Sequence, residues 1–356
     1  MKVTKYLSYY VGKLPRGCRL CMSGMKLVYF VTGLCSRSCF YCPLSKERKG
    51  RDVVYADEVP VRSLEDVIAE AKAIDARGVG VTGGDPILRV DRVVETLKAL
   101  RGALLRGLHV HLYTTTQPHV NELSLSKLLD VGIDELRIHP NLEAADELAP
   151  LKLAVDMGFK AGLEVPAIPG FEERTLRIIE RAEKLGASFV IINELEMTES
   201  NALALQVRGF KLKPGSVSAV QGSWEVAMTL LRYVEELGLD GHFCPAYIKD
   251  SAQFRNRLRR KARNIAMSHE VITRDPLLVK GVIEPPEGES LEEALERIKS
   301  IVPELRVYVN ADRNRLECNY KELKKLSKRL KGAGFRLSIV GELPTSFREQ
   351  VTLKPL

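Results

Sequence analysis

Apolar and polar positions along this chain follow two periods in turn. From Lys26 to about Pro245, short runs rich in Val, Ile, Tyr and Thr recur between longer stretches of helical spacing. The candidate strands are KLVYFVT from Lys26, GVGVT from Gly78, LHVHLYTTT from Leu108, DELRIHP from Asp134, KAGLEVPAIP from Lys160 and SFVIINELEMT from Ser188, with LDGHFCP from Leu239 a candidate seventh. Helical stretches separate them. In SLEDVIAEAKAIDARG, Ser63 is a cap and Leu64, Val67, Ile68 and Ala71 share one face. Repeated β-then-α units predict an α/β fold with a parallel sheet and right-handed crossovers. Six or seven units suit a full or partial (β/α) barrel.

After the barrel region (26–250) the pattern changes. SAQFRNRLRRKARNIA, spanning a basic helix at 251–267, sets Phe254, Leu258, Ala262 and Ile265 on an apolar seam beside six basic residues between 255 and 263. From 268 to 356 the order reads strand, helix, strand, helix, strand, a small C-terminal α+β domain. Residues 1–25 form an N-terminal extension that carries a CxxC pair. No internal repeat interrupts this order.

Chemistry in such barrels gathers where strands end at their C-terminal edge, and the unusual sequence falls there. GLCSRSCFYCPLS follows the first strand with Cys35, Cys39 and Cys42; TGGDP (Thr82, Gly83, Gly84, Asp85, Pro86) ends the second; YTTT, RIHP, EVPAIPG and NELEMTESN end the next four. Thiolates bind soft metals, and three of them on an iron–sulfur cube leave one iron open. Structural zinc with a fourth ligand from elsewhere is the alternative. Cys18 and Cys21, with Cys244 after the last strand, form a second set: another [4Fe–4S] cluster, a zinc site, or no metal at all. Cys318 has no partner at useful spacing and reads as a small buried residue.

The CxxxCxxC spacing with Tyr41 before its last cysteine, followed by TGGDP on the next strand, resembles the radical S-adenosylmethionine superfamily. The whole stretch from Cys18 to Ala56 resembles archaeal relatives of pyruvate formate-lyase activating enzymes. The resemblance implies a radical-type partial barrel, a [4Fe–4S] cluster on Cys35, Cys39 and Cys42, and S-adenosylmethionine cleaved to methionine and a 5′-deoxyadenosyl radical. It implies cofactor contacts at the TGGDP residues, Thr114, Thr115, Glu164 and Ile168. His139 and Glu194 are candidates to face substrate. An electron donor such as ferredoxin or flavodoxin is the implied partner.

Composition adds little. The 356 residues carry a net charge of +8, a mild preference for polyanions. Scarce Gln beside abundant Glu, Arg and Lys leans towards a thermophile. No apolar run approaches the roughly 20 residues needed to span a bilayer, and the N-terminus lacks a signal-peptide pattern, so the expectation is a cytoplasmic protein without a membrane partner. With Arg257, Arg260 and Lys261 on the basic helix, the favoured substrate is RNA, best tRNA. The alternatives are a protein, peptide or small metabolite and, from another class, a nonenzymatic iron–sulfur or zinc RNA-binding protein.

Overall fold

Eleven strands form one sheet in the computed structural model, which describes residues 1–104, 107–143 and 148–356. They are β1 (Lys2–Val3), β2 (Tyr9–Val11), β3 (Lys26–Phe30), β4 (Tyr55–Ala56), β5 (Val59–Pro60), β6 (Gly78–Thr82), β7 (His109–Thr115), β8 (Glu135–His139), β9 (Ala161–Ala167), β10 (Phe189–Glu194) and β11 (Asp240–Cys244). β3 and β6 to β11 are the seven candidate strands, paired in parallel in chain order.

The sheet does not close on itself. The β4–β5 hairpin takes the outer edge of β3, and β2, itself paired with β1, takes the edge of β11. Covered edges prevent further pairing, so the barrel is the partial form. The N-terminal extension is therefore part of this sheet.

Alternation along each strand separates two faces. Leu27, Val79, Val81, Val110, Leu112, Leu136, Ile138, Leu163, Val165, Val190 and Ile192 are fully buried in one continuous apolar core. The alternate positions carry Lys26, Gly80, His111, Tyr113, Arg137, Glu164 and His242, which line or border a cavity instead. Helix α1 (Arg16–Met22) lies against this polar face. Gly17 permits the approach, because a Cβ there would stand 2.4 Å from His111 Nδ1 and 2.8 Å from Arg137 Nη2. On the apolar side, α2 (Leu64–Ala73) buries Val67 and Ala71, while the Asp66 carboxylate accepts from the backbone N–H groups of Arg62 and Ser63.

Two units divide the chain, Met1–Arg257 and Leu258–Leu356. The division falls inside the helix Arg255–Ile265, whereas the sequence pattern sets that helix apart. The second unit is an antiparallel sheet of β12 (Val271–Ile272), β13 (Leu278–Glu284), β14 (Val307–Asn310), β15 (Arg315–Cys318), β16 (Arg336–Glu342) and β17 (Gln350–Pro355). Its order is β14-β15-β13-β16-β17, with β12 also on β13. The helices Leu291–Ile301 and Tyr320–Gly332 contribute Ala294, Ile298, Leu323 and Leu330 to a core shared with Leu316, Cys318 and Phe335. β12, β15 and β17 exceed the three strands expected for this domain, the first expected run folding back on itself as the antiparallel pair β12 and β13. β15 has only four residues, and all six of β17 are exposed, so neither carries a period that sequence can register.

Because the first unit has its own apolar core, a chain ended after Met267 keeps its sheet. Its far-UV circular dichroism shows cooperative thermal unfolding; a gradual, non-cooperative melt would contradict the division.

Candidate active site

The cysteine loop is held at base and tip by residues from several strands. At its base, Thr32 Oγ1 donates to Asp52 Oδ1 at 2.8 Å, and Asp52 also accepts from Arg89 Nε at 2.9 Å and Arg92 Nη1 at 2.7 Å. Arg92, with the other two donors, holds the Asp52 carboxyl well below its usual range. Gly33 N donates to Arg51 O and Gly50 N to Gly33 O, both at 2.8 Å. A Cβ at Gly33 would lie 1.6 Å from Arg48 O, so only glycine fits this crossing.

At the tip, Arg37 Nη1 donates to His139 O at 2.8 Å, and Asn201 Nδ2 donates to Tyr41 O at 3.1 Å. Tyr41 Oη and His139 Nε2 are 2.9 Å apart, while His139 Nδ1 lies 3.0 Å from Glu164 O. A carbonyl only accepts, so in the neutral ring Nδ1 carries the proton and Nε2 accepts from the phenol. His139 thus holds the loop as well as lining the cavity.

Cys35, Cys39 and Cys42 are free thiols lining a cavity of about 660 Å³. Burial raises the Cys35 and Cys39 thiols, the opposite of what an activated nucleophile requires. Metal binding would remove those protons. Thr82, Gly83 and Gly84 line the same cavity. Gly83 has φ +158°, and a Cβ on Gly83 or Gly84 would meet Thr32 O at 2.4 Å or Leu34 O at 2.2 Å. The glycine loop is therefore pressed against the cysteine loop, backbone to backbone. Three convergent thiols beside a side-chain-free backbone cradle fit a three-thiolate cluster with a small ligand.

Asp85 is fully buried and turned away from the cavity. Its carboxylate accepts from Thr114 Oγ1 at 2.9 Å and Thr115 Oγ1 at 2.6 Å, lies 2.8 Å from His119 Nε2, and caps Ile87 N at 3.3 Å. The two threonine hydroxyls thus tie the end of β7 to the glycine loop. Pro86 and Ile168 are buried outside the cavity lining. Glu164 lines it, accepting from Asn193 Nδ2 at 2.8 Å and Arg137 Nη1 at 3.2 Å. Glu194 lines it too: Oε2 accepts from Ala246 N at 2.8 Å and Oε1 has no hydrogen-bond partner.

The cavity floor was not legible in the motifs. Arg137 donates to Glu135 Oε2 at 2.7 Å and to Tyr113 Oη at 3.3 Å. Glu135 Oε1 in turn accepts from Gly17 N at 3.2 Å, which seats α1. Cys18, Cys21 and Cys244 line this floor, so both cysteine sets face one cavity. In the open sheet it is α1, lying on the polar face, that carries Cys18 and Cys21 there. Lys26, Arg137 and His242 carry no motif, and most of their neighbours across the floor lie on other elements.

The basic helix does not present the face its composition suggests. Arg257 lies 3.4 Å from Asp57 Oδ1 and also pairs with Glu58, Lys261 is buried, and Arg260 is half-buried. Of the six basic residues between 255 and 263, only Arg263 is exposed.

An open parallel barrel whose cysteine loop follows its first parallel strand, beside a glycine loop on the next, defines an iron–sulfur enzyme of the radical type. The pattern of the Radical SAM superfamily matches residues 29–194. A Methanocaldococcus jannaschii protein, provisionally named a glycyl-radical enzyme activating enzyme, is 40% identical over 304 residues, covering 83% of this chain and 80% of its own. The benzylsuccinate synthase activating enzyme of Thauera aromatica is 27% identical over 38% of this chain and 45% of its own. A Saccharolobus islandicus protein, provisionally named a GTP 3′,8-cyclase, is 26% identical over 51% of this chain and 58% of its own. The chain belongs to the radical SAM superfamily.

Two outcomes follow from the buried polar groups. Asp85→Ala strands two hydroxyls and an imidazole, and costs about 3 kcal/mol of stability. Urea unfolding with an unchanged m-value reads this, and an unmoved midpoint would contradict the assignment. Burial, then the charge of Arg137, lowers His242 from an ordinary 6.5 to about 3. Between those values the folded chain binds fewer protons than the unfolded one, so stability falls as pH drops through that window. Tm profiles of His242→Asn between pH 7 and 4 should be flatter than wild type; parallel profiles would refute the claim.

Proposed function

We propose that this chain modifies a protein partner by radical chemistry, as an activating enzyme, and that two iron–sulfur centres serve it, on Cys35, Cys39 and Cys42 and on Cys18, Cys21 and Cys244. The observation that carries the reading is the single cavity in which the cysteine loop and the Gly83–Gly84 backbone lie side by side. The names of the Methanocaldococcus and Thauera relatives support the choice of a protein as substrate. Neither those names nor the internal pairing of Arg257 supports tRNA.

When bound, the cluster and S-adenosylmethionine supply one-electron reductive cleavage and a hydrogen-abstracting carbon radical. The chain's own residues position and shield this chemistry. Cys35, Cys39 and Cys42 ligate the cluster. Thr82, Gly83 and Gly84 offer backbone to the cofactor, with Thr114 and Thr115 fixing that loop through Asp85. Glu164, braced by Arg137 and Asn193, is an acceptor for hydroxyl groups. Phe40, in contact with the Tyr41, Phe171 and Phe210 rings, packs the loop that must keep water from the radical. Glu194, whose Oε1 accepts no hydrogen bond and has Lys213 Nζ at 3.9 Å, is the acceptor offered to substrate.

After anaerobic reconstitution and reduction, the wild type forms 5′-deoxyadenosine and Cys39→Ala forms none. A fully loaded wild type that forms none would overturn the assignment. Substrate class is read by supplying deuterated protein, RNA or small-molecule fractions of host cells. Deuterium should enter 5′-deoxyadenosine from the protein fraction; uptake only from RNA or small molecules would refute the protein reading.

A further inference from the structure

The floor of the cavity holds a charge that the protein itself does not balance by contact. Lys26 is 7% exposed. Its Nζ lies 3.4 Å from His111 Nε2, and Cys21 lines the cavity beside it and favours its charged form. Among the described residues no carboxylate stands within ion-pair distance of it. His111 cannot serve as the counter-charge, because an imidazole is either neutral or positive. The second unit provides the contrast: its buried Lys280 meets Glu270 at 3.1 Å, Glu317 at 2.9 Å and Glu342 at 2.9 Å. A buried ammonium without such partners is costly unless another anion stands beside it.

The neighbouring groups identify that anion. Two thiols of the floor each accept from one donor, Arg137 Nη2 to Cys18 Sγ at 3.4 Å and Gln253 Nε2 to Cys244 Sγ at 3.5 Å, and Lys26 lines the same floor as Cys21. A neutral thiol is a poor acceptor for a donor aimed at it. Coordination would convert all three to thiolates. None is in a disulfide.

A single zinc ion fits less well than a cluster. Two sulfurs on one zinc, at about 2.3 Å each, stand at most about 4.6 Å apart. Among the described residues no cysteine triplet has all its sulfurs within 4.8 Å of one another. Thiolates on separate irons of a cube can stand further apart.

We infer that an anionic iron–sulfur cluster on Cys18, Cys21 and Cys244 is the missing counter-charge of Lys26, and that Lys26, Arg137 and Gln253 form the cradle that sets its reduction potential. The inference rests on the radical-enzyme reading for its iron chemistry, but its own claim is electrostatic. Reduction adds negative charge, and donors and cations at the sulfurs favour the reduced state. Lys26 is a positioning residue here, acting through the cluster.

The test is iron content and EPR-monitored redox titration of the reconstituted full chain. Wild type should hold roughly eight irons, and Cys18→Ala/Cys21→Ala about half, with the EPR signal of one centre lost and the other kept. Lys26→Met should shift the potential of the lost centre negative, and Lys26→Arg should restore it. Four irons in wild type, with or without one zinc, would overturn the second cluster while leaving the first cluster's function intact. Eight irons with an unmoved potential in Lys26→Met would overturn the cradle alone. If Lys26→Met misfolds, Gln253→Leu, which removes the donor to Cys244, must lower the same potential or the cradle fails.

Discussion

A guanidinium buried in the concave face of the sheet organises this molecule. Arg137 is 2% exposed, and its fixed fork reaches Glu135, Glu164, Tyr113 and Cys18. Removing such a charge from water is expensive, and these partners at its two terminal nitrogens offset that cost. Those partners come from three strands and from α1. Satisfying Arg137 therefore fixes the register of β7, β8 and β9 at mid-strand and seats the helix that carries Cys18 and Cys21. The same requirement explains Gly17 and Gly80, where any Cβ would collide with the polar floor.

The upper part of the cavity is built on backbone contacts instead. Asp52 and Asp85 each gather donors from neighbouring segments, and the loops they hold cross where only glycine fits. The cysteine loop is thus rigid before any cofactor arrives. Rigidity at that rim matters for radical chemistry, since a reactive centre must meet its intended hydrogen before water or a stray side chain. The cavity runs from this rim to the floor, which gives one chamber two different walls: glycine and thiol above, charge and thiol below.

Much of this was legible in the sequence. The alternation in GVGVT, DELRIHP and the other runs marked all seven parallel strands, and the order of the cysteine and glycine loops marked the rim. What escaped was set by long-range pairing. Lys26, His111, Arg137 and His242 are spread over four strands, and nothing local indicates that they converge. The density of Arg in RNRLRRKAR suggested an exposed face, but Arg257 is matched by Asp57 and Glu58, about two hundred residues earlier. β17 carries no burial period because neither of its faces is covered. Local pattern reports which face a residue occupies, and not which charge it meets.

The central claim is that two cysteine sets face one cavity and both hold iron. Anomalous diffraction at the iron edge, from crystals of the anaerobically reconstituted chain, tests it most directly. The account predicts two separate iron peaks, one beside Cys35, Cys39 and Cys42 and one beside Cys18, Cys21 and Cys244. A single iron peak, or signal at the floor only above the zinc edge, would contradict it.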